Sequence, residues 1–84
     1  MYRVRTSPDA DKQLAKLDGS VRIRVAQRID QLAENPRPQG CKKLKGDDNL
    51  WRVRAGDYRI VFSIHDDLLL VLVIRIAHRR EVYR

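Results

Sequence analysis

The chain is poor in the residues that build covalent or metal-held frameworks. It has one cysteine, Cys41, and two histidines, His65 and His78. No intramolecular disulfide can form, and too few soft ligands exist for a zinc set. The acidic residues are scattered and offer neither paired carboxylates for acid–base work nor a metal site. No metal or cofactor is therefore expected. The longest apolar run, seven residues from Leu68 to Ile74, is too short to cross a bilayer. Met1 to Arg5 lacks the apolar segment of a signal peptide. Repeats, linkers and low-complexity tracts are absent. A cytoplasmic protein without a membrane partner is the expectation.

What is present is charge of one sign. Lys and Arg total 18 against 11 Asp and Glu, a net charge of +7. That imbalance favours an anionic partner. A hydrophobic content of 43% supports a packed fold, and 84 residues suffice for one domain, 1–84, with a modest core.

Tyr2 to Thr6 alternates and reads as a short strand. Ser7-Pro8-Asp9 is a helix start: Ser7 caps, Pro8 suits the first helical position, and Asp9 meets the positive dipole end. Ala10, Leu14 and Leu17 fall on one helical face. Gly19 is expected to end this helix and Ser20 to cap a second. That second helix carries an apolar stripe of Val21, Val25, Ile29, Leu32 and Ala33 before Asn35-Pro36 stops it. A loop follows, with a short extended piece at 42–44. Three strands come next: Leu50–Ala55, Tyr58–His65 and Leu68–Ala77, joined at Gly56-Asp57 and Asp66-Asp67. The predicted architecture is α+β: βααβββ, an antiparallel sheet with an N-terminal helical hairpin packed on one face.

A two-residue turn at Gly56-Asp57 places Arg54 opposite Arg59 and Arg52 opposite Val61. Trp51, Val53, Tyr58, Ile60, Phe62 and Ile64 then share the helix side, with Trp51 and Tyr58 read as core. Arg52, Arg54 and Arg59 share the other face. Opposed arginines repel across strands, so the cluster is either an anion site or a solvated face that limits aggregation. The last strand is apolar at both parities. It is a central strand covered on both faces within the domain, or its second face is a partner groove. His65, before the Asp66-Asp67 turn, reads as an exposed hairpin residue. The last strand runs into His78, Arg79, Arg80 and Tyr83, an imidazole, two guanidiniums and a phenol suited to a phosphate and a base.

The ordered set of helical hairpin, Lys42-Lys-Leu-Lys-Gly46, Trp51-Arg-Val-Arg54, Gly56-Asp-Tyr-Arg-Ile-Val61 and His78-Arg-Arg-Glu-Val-Tyr83 resembles the RelE toxins of the RelE/ParE superfamily. The resemblance covers essentially the whole chain. It implies a ribosome-dependent endoribonuclease, without metal, that cuts mRNA in the ribosomal A site through attack of a 2′-hydroxyl on its adjacent phosphate. It assigns the catalytic set to Arg52, Arg54, Arg59, His78, Arg79 and Tyr83. Lys42, Lys43 and Lys45 read either as contacts that, with Arg80, grip RNA and the ribosome or as a solvated loop. It also implies a RelB-like antitoxin and a toxin–antitoxin hetero-oligomer. The chain departs from the common RelE pattern in having Arg52 and Arg54 where lysines often stand. Arginine stays protonated and is a poor general base, which leaves His78, a water or a ribosomal group for that role, or chemistry resting on charge and orientation. Two other readings are a ParE-like DNA gyrase inhibitor and a catalytically silent RNA-binding module.

Overall fold

The computed structural model describes residues 1–44, 46 and 49–82. The element order is β1 (Arg3–Thr6), α1 (Pro8–Ala15), α2 (Gly19–Gln31), β2 (Lys42–Lys43), β3 (Leu50–Ala55), β4 (Tyr58–His65), β5 (Leu70–His78) and α3 (Arg79–Val82). The five strands form one sheet in the order β1-β5-β4-β3-β2. All neighbours pair antiparallel except β1 and β5, which run parallel. α1 and α2 lie on one face. Val25, Ile29 and Leu32 from the second helical segment and Ala10 from α1 pack on Val53, Ile60, Phe62, Ile64, Val71, Val73 and Ile76.

The predicted β3–β4 hairpin is reproduced residue for residue: Ala55 pairs with Tyr58, Arg54 with Arg59 and Arg52 with Val61. Gly56 takes φ +62 and Asp57 does not share that sign, the pattern of a type II′ turn. A side chain at Gly56 would also meet the Arg24 guanidinium at 3.2 Å. The extended piece after the loop is present as β2, an edge strand.

Ser7 caps α1 as expected, its Oγ accepting from the Ala10 amide at 3.0 Å. The second helix differs from the reading. It begins at Gly19 with Asp18 in the cap position, and Gly19 is not among the glycines with positive φ. α1 has already closed at Ala15, so no left-handed glycine is needed to turn the chain. The last strand also starts later than predicted. Asp66–Leu68 wind into a 3-10 turn and Leu69 is left-handed at φ 49, so the leucine run does not begin as strand. Leu68 and Leu69 stand 55% and 50% exposed as a result.

β1 spans four residues and stops where β5 continues. α1 closes the edge of β5 left open there. The Ser7 hydroxyl donates to the Ile74 carbonyl at 2.7 Å, and Gln13 Oε1 accepts from the Ile76 amide at 2.7 Å. This stretch of β5 is irregular. Val61 pairs with Arg75 but Phe62 pairs with Val73, leaving Ile74 as the extra residue of a β-bulge.

Candidate functional site

The face of the sheet away from the helices collects cations. Arg52 and Arg54 come from β3, Arg59 from β4, and Lys42 stands beside Arg52 on β2. Arg75 joins them because it pairs with Val61. The bulge is responsible. Unbroken alternation from Val71 and Val73 would aim Arg75 at the core, and the extra residue reverses that phase. Arg54 and Arg75 are exposed, Arg52 is half-buried, and Arg59 is only 5% exposed. None of the five strands contains an Asp or Glu, so the positive potential of this face is not offset from within the sheet. A depression of about 350 Å³ opens at the margin of β3, lined by Arg28, Gly40, Lys42, Arg52, Val53 and Arg54.

Arg28, on α2, was not singled out by the sequence. Its guanidinium donates to the Arg54 carbonyl at 3.3 Å, to the Gln39 carbonyl at 3.2 Å and to Gln31 Oε1 at 3.0 Å. It therefore ties the helix to the part of β3 that β2 does not reach. Arg75 was missed as well. Its only signal was a lone cation in an otherwise apolar strand.

Arg79 follows β5 at the Gly56-Asp57 end of the sheet. Its amide donates to the Asp57 carbonyl at 2.8 Å, and its Nε lies 3.9 Å from Asp57 Oδ1. Both side chains are more than half exposed, so the backbone bond is the firmer tie. The sequence grouped His78 with these arginines. The same reversal of phase sends it to the opposite face, where it pairs with Tyr58. Its ring meets Tyr58 edge-to-face at 5.2 Å and 89°. The two rings share a depression of about 370 Å³ with Gln13, Lys16, Leu17 and Ile76. His78 Nδ1 accepts from the Arg80 amide at 3.2 Å, which leaves the proton of the neutral ring on Nε2. Arg80 is exposed.

The two lysines of β2 divide between faces. Lys42 joins the arginines, whereas Lys43 lies 5.9 Å from the Trp51 ring centroid on the helix side. Trp51 packs against the core as expected, with Arg37 over its ring at 5.2 Å. Asp66 grips Arg37 through two contacts of 3.2 and 2.9 Å and accepts from the Tyr2 hydroxyl at 2.6 Å. Hydrogen bonds from Arg37 and then Tyr2 lower the Asp66 carboxyl to about 2. The same carboxylate, accepting its proton, raises the Tyr2 phenol. His65 is half-buried rather than exposed: its Nε2 lies 3.0 Å from the Oγ of Ser63, which is 6% exposed. Lys45 and Tyr83 lie outside the described residues. Among the described residues no three His, Cys, Asp or Glu side chains gather as a metal site, and no helix is long and apolar enough to cross a membrane.

Residues 4–83 match the family model described as the ParE toxin of the type II toxin–antitoxin system parDE. Toxin RelE of Mycobacterium tuberculosis is 33% identical over 85 residues, covering 99% of this chain and 87% of that protein. The mRNA interferase toxin RelE of Escherichia coli K12 is 30% identical over 76 residues, covering 86% of this chain and 79% of the relative. A crystal structure of the archaeal RelE–RelB complex from Pyrococcus horikoshii superposes with a TM-score of 0.83 at 28% identity, over 93% of this chain and 94% of the other. The match over nearly the whole chain, in sequence and in fold, places it in a family: it belongs to the RelE/ParE superfamily of type II toxin–antitoxin toxins.

Proposed function

We propose that the chain is a RelE-type mRNA interferase: an endoribonuclease that acts in the cytoplasm, cuts mRNA in the ribosomal A site and is neutralised by a RelB-like antitoxin. The observation that carries this reading is the cation cluster of Arg52, Arg54, Arg59 and Arg75 on strands that contain no carboxylate. Attack of a ribose 2′-hydroxyl on the adjacent phosphate adds negative charge to the phosphoryl oxygens. It leaves a 2′,3′-cyclic phosphate and a free 5′-hydroxyl. Guanidiniums fixed on strands stabilise that charge without reorganising, so they lower the barrier more than they tighten the ground state. Arg59, buried in the sheet, sets a fixed positive floor, and Arg52, Arg54 and Arg75 reach outward. Arg79 closes the hairpin end of the cluster. Tyr83 holds the nucleotide by stacking on a base, which selects in-line geometry.

His78 is a positioning residue in this reading. It sits behind the sheet with Tyr58 and accepts from the amide of Arg80, so it holds the first turn of α3 and with it Arg79. The reaction rests on charge and orientation, and a water or a ribosomal group accepts the 2′-hydroxyl proton. The similarity to RelE–RelB complexes supports a RelB-like antitoxin as partner. Lys42, Lys43, Lys45 and Arg80 add contacts to ribosomal RNA.

The test is purified protein on programmed ribosomes with mRNA ends mapped. Cleavage confined to the A-site codon is expected. The matched family model is named for ParE, which favours a second reading as a ParE-like gyrase inhibitor. Intact mRNA together with inhibited DNA supercoiling would establish that reading instead.

A further inference from the structure

The cation cluster occupies only one end of the open sheet face. Toward the other end the same face carries Arg3 and Arg5 on β1, which pair with Leu70 and Leu72 of β5. Those leucines pair in turn with His65 and Ser63 of β4. Arg3 and Arg5 are exposed. Their neighbours Val4 and Tyr2 pack on the helix side, which fixes the direction of the two arginines by alternation. Leu70 and Leu72 are half-buried and take no part in the core cluster, so they floor this region.

We propose that Arg3, Arg5 and the Ser63–His65 pair form a second phosphodiester-binding segment. It takes the stretch of single-stranded substrate RNA that leads into the arginine cluster. The inference rests on the ribonuclease reading above and extends its substrate contact.

Three observations carry it. First, the spacing fits. Cross-strand rows on one face recur every two residues, roughly 6.6–6.8 Å. That step is close to the phosphate-to-phosphate spacing of an extended single strand. The rows run from Arg54–Arg59, through Arg52–Val61–Arg75 and Ser63–Leu72–Arg5, to His65–Leu70–Arg3. Second, no strand residue along the path is acidic. Third, His65 is held rather than loose. The Ser63 hydroxyl, nearly buried, lies 3.0 Å from Nε2. With Ser63 donating, the ring proton resides on Nδ1, a donor suited to a phosphate oxygen. The leucine floor gives a base an apolar surface between the two arginines and the histidine. An acidic peptide would satisfy the charges but would not require the regular step.

The experiment measures binding of 2′-O-methyl RNA, which cannot attack its own phosphate, to the free protein by fluorescence anisotropy across a salt series. A trinucleotide spans only the arginine cluster, and an octanucleotide spans both segments. In the Arg3→Gln/Arg5→Gln variant the octanucleotide should bind about tenfold more weakly. Its salt slope should fall by about 1.4, at ~0.7 per single-strand phosphate released. The trinucleotide should bind as before. Ser63→Ala keeps every charge, and it should weaken the octanucleotide alone by a smaller factor. Lys12→Gln/Arg22→Gln, the same charge change on exposed helix positions, should leave octanucleotide affinity near wild type.

Equal losses for both lengths, an equal loss in the helix control, or an unchanged octanucleotide would overturn the proposal. So would a polyglutamate peptide that loses affinity in the arginine variant while RNA does not. If the wild-type protein cuts A-site mRNA yet binds the octanucleotide no better than the trinucleotide, the extension fails and the ribonuclease reading stands. If no cleavage occurs on ribosomes and neither oligonucleotide binds, both fall together.

Discussion

Arg54 and Arg59 face each other across β3 and β4, one exposed to solvent and the other 5% exposed. Like charges directly opposite each other destabilise a sheet. In the proposed function the pair is kept for an anion. Arg54→Gln should therefore lower mRNA cleavage and raise the thermal midpoint by a few degrees. The Arg54 carbonyl that receives Arg28 is unaffected by the change. Paired cleavage and melting measurements check this; a fall in both quantities would assign the pair to structure.

In the proposed reaction Arg79 and His78, adjacent in sequence, have separate roles. Arg79→Ala should reduce A-site cleavage by about 10²–10³, the cost of one preplaced donor at comparable sites. His78→Gln should reduce it less and should leave the shape of the pH–rate profile intact, because the proposed chemistry routes no proton through the ring. Loss of a limb from that profile would make His78 the general base.

Tyr83 should act through its ring. Stacking of a base on an aromatic side chain is worth roughly 1–3 kcal/mol. Tyr83→Phe should retain most cleavage and Tyr83→Ala should lose at least about tenfold. Single-turnover rates on ribosomes separate the two, and equal losses would point to the hydroxyl.

Asp66 makes a pH-dependent clasp. Its carboxyl is lowered from 3.8 to about 2 by Arg37 and Tyr2, so the folded state favours the ionised form. Its stabilisation is complete above about 3.8 and disappears as pH falls toward 2. Asp66→Asn should melt below wild type at neutral pH. The gap between the two should close across that acidic interval. A gap that persists below pH 2 would show that the asparagine disturbs something other than the charge.

Much of this architecture was legible because it is local. The β3–β4 register follows from alternation and a glycine turn, and the Ser7 cap from the residues beside it. The arginine face came with that register. The remainder depended on contacts distant in sequence. Nothing near β1 announces that it lies parallel to β5, because the pairing partners are more than sixty residues away. The leucines at 68 and 69 look like strand until the Asp66–Leu68 turn claims them. The side on which His78 lies could not be read at all. Plain alternation from Leu70 and Leu72 puts it among the arginines, and one unpaired residue at Ile74 takes it away.

That unpaired residue has a consequence for how the protein is assembled. The Ser7 hydroxyl that starts α1 also anchors the Ile74 carbonyl, so one oxygen sets both the entry of the first helix and the phase of the last strand. Deleting Ile74 would remove the bulge yet leave Arg75 and His78 on the faces they now occupy, whereas pairing Ile74 into a regular ladder would drive Arg75 toward the hydrophobic interior and bring His78 out among the cations. The polarity of the face is thus written as a count of residues, agreed between two ends of the chain. A nascent polypeptide that has not yet made β5 has no means of completing that count.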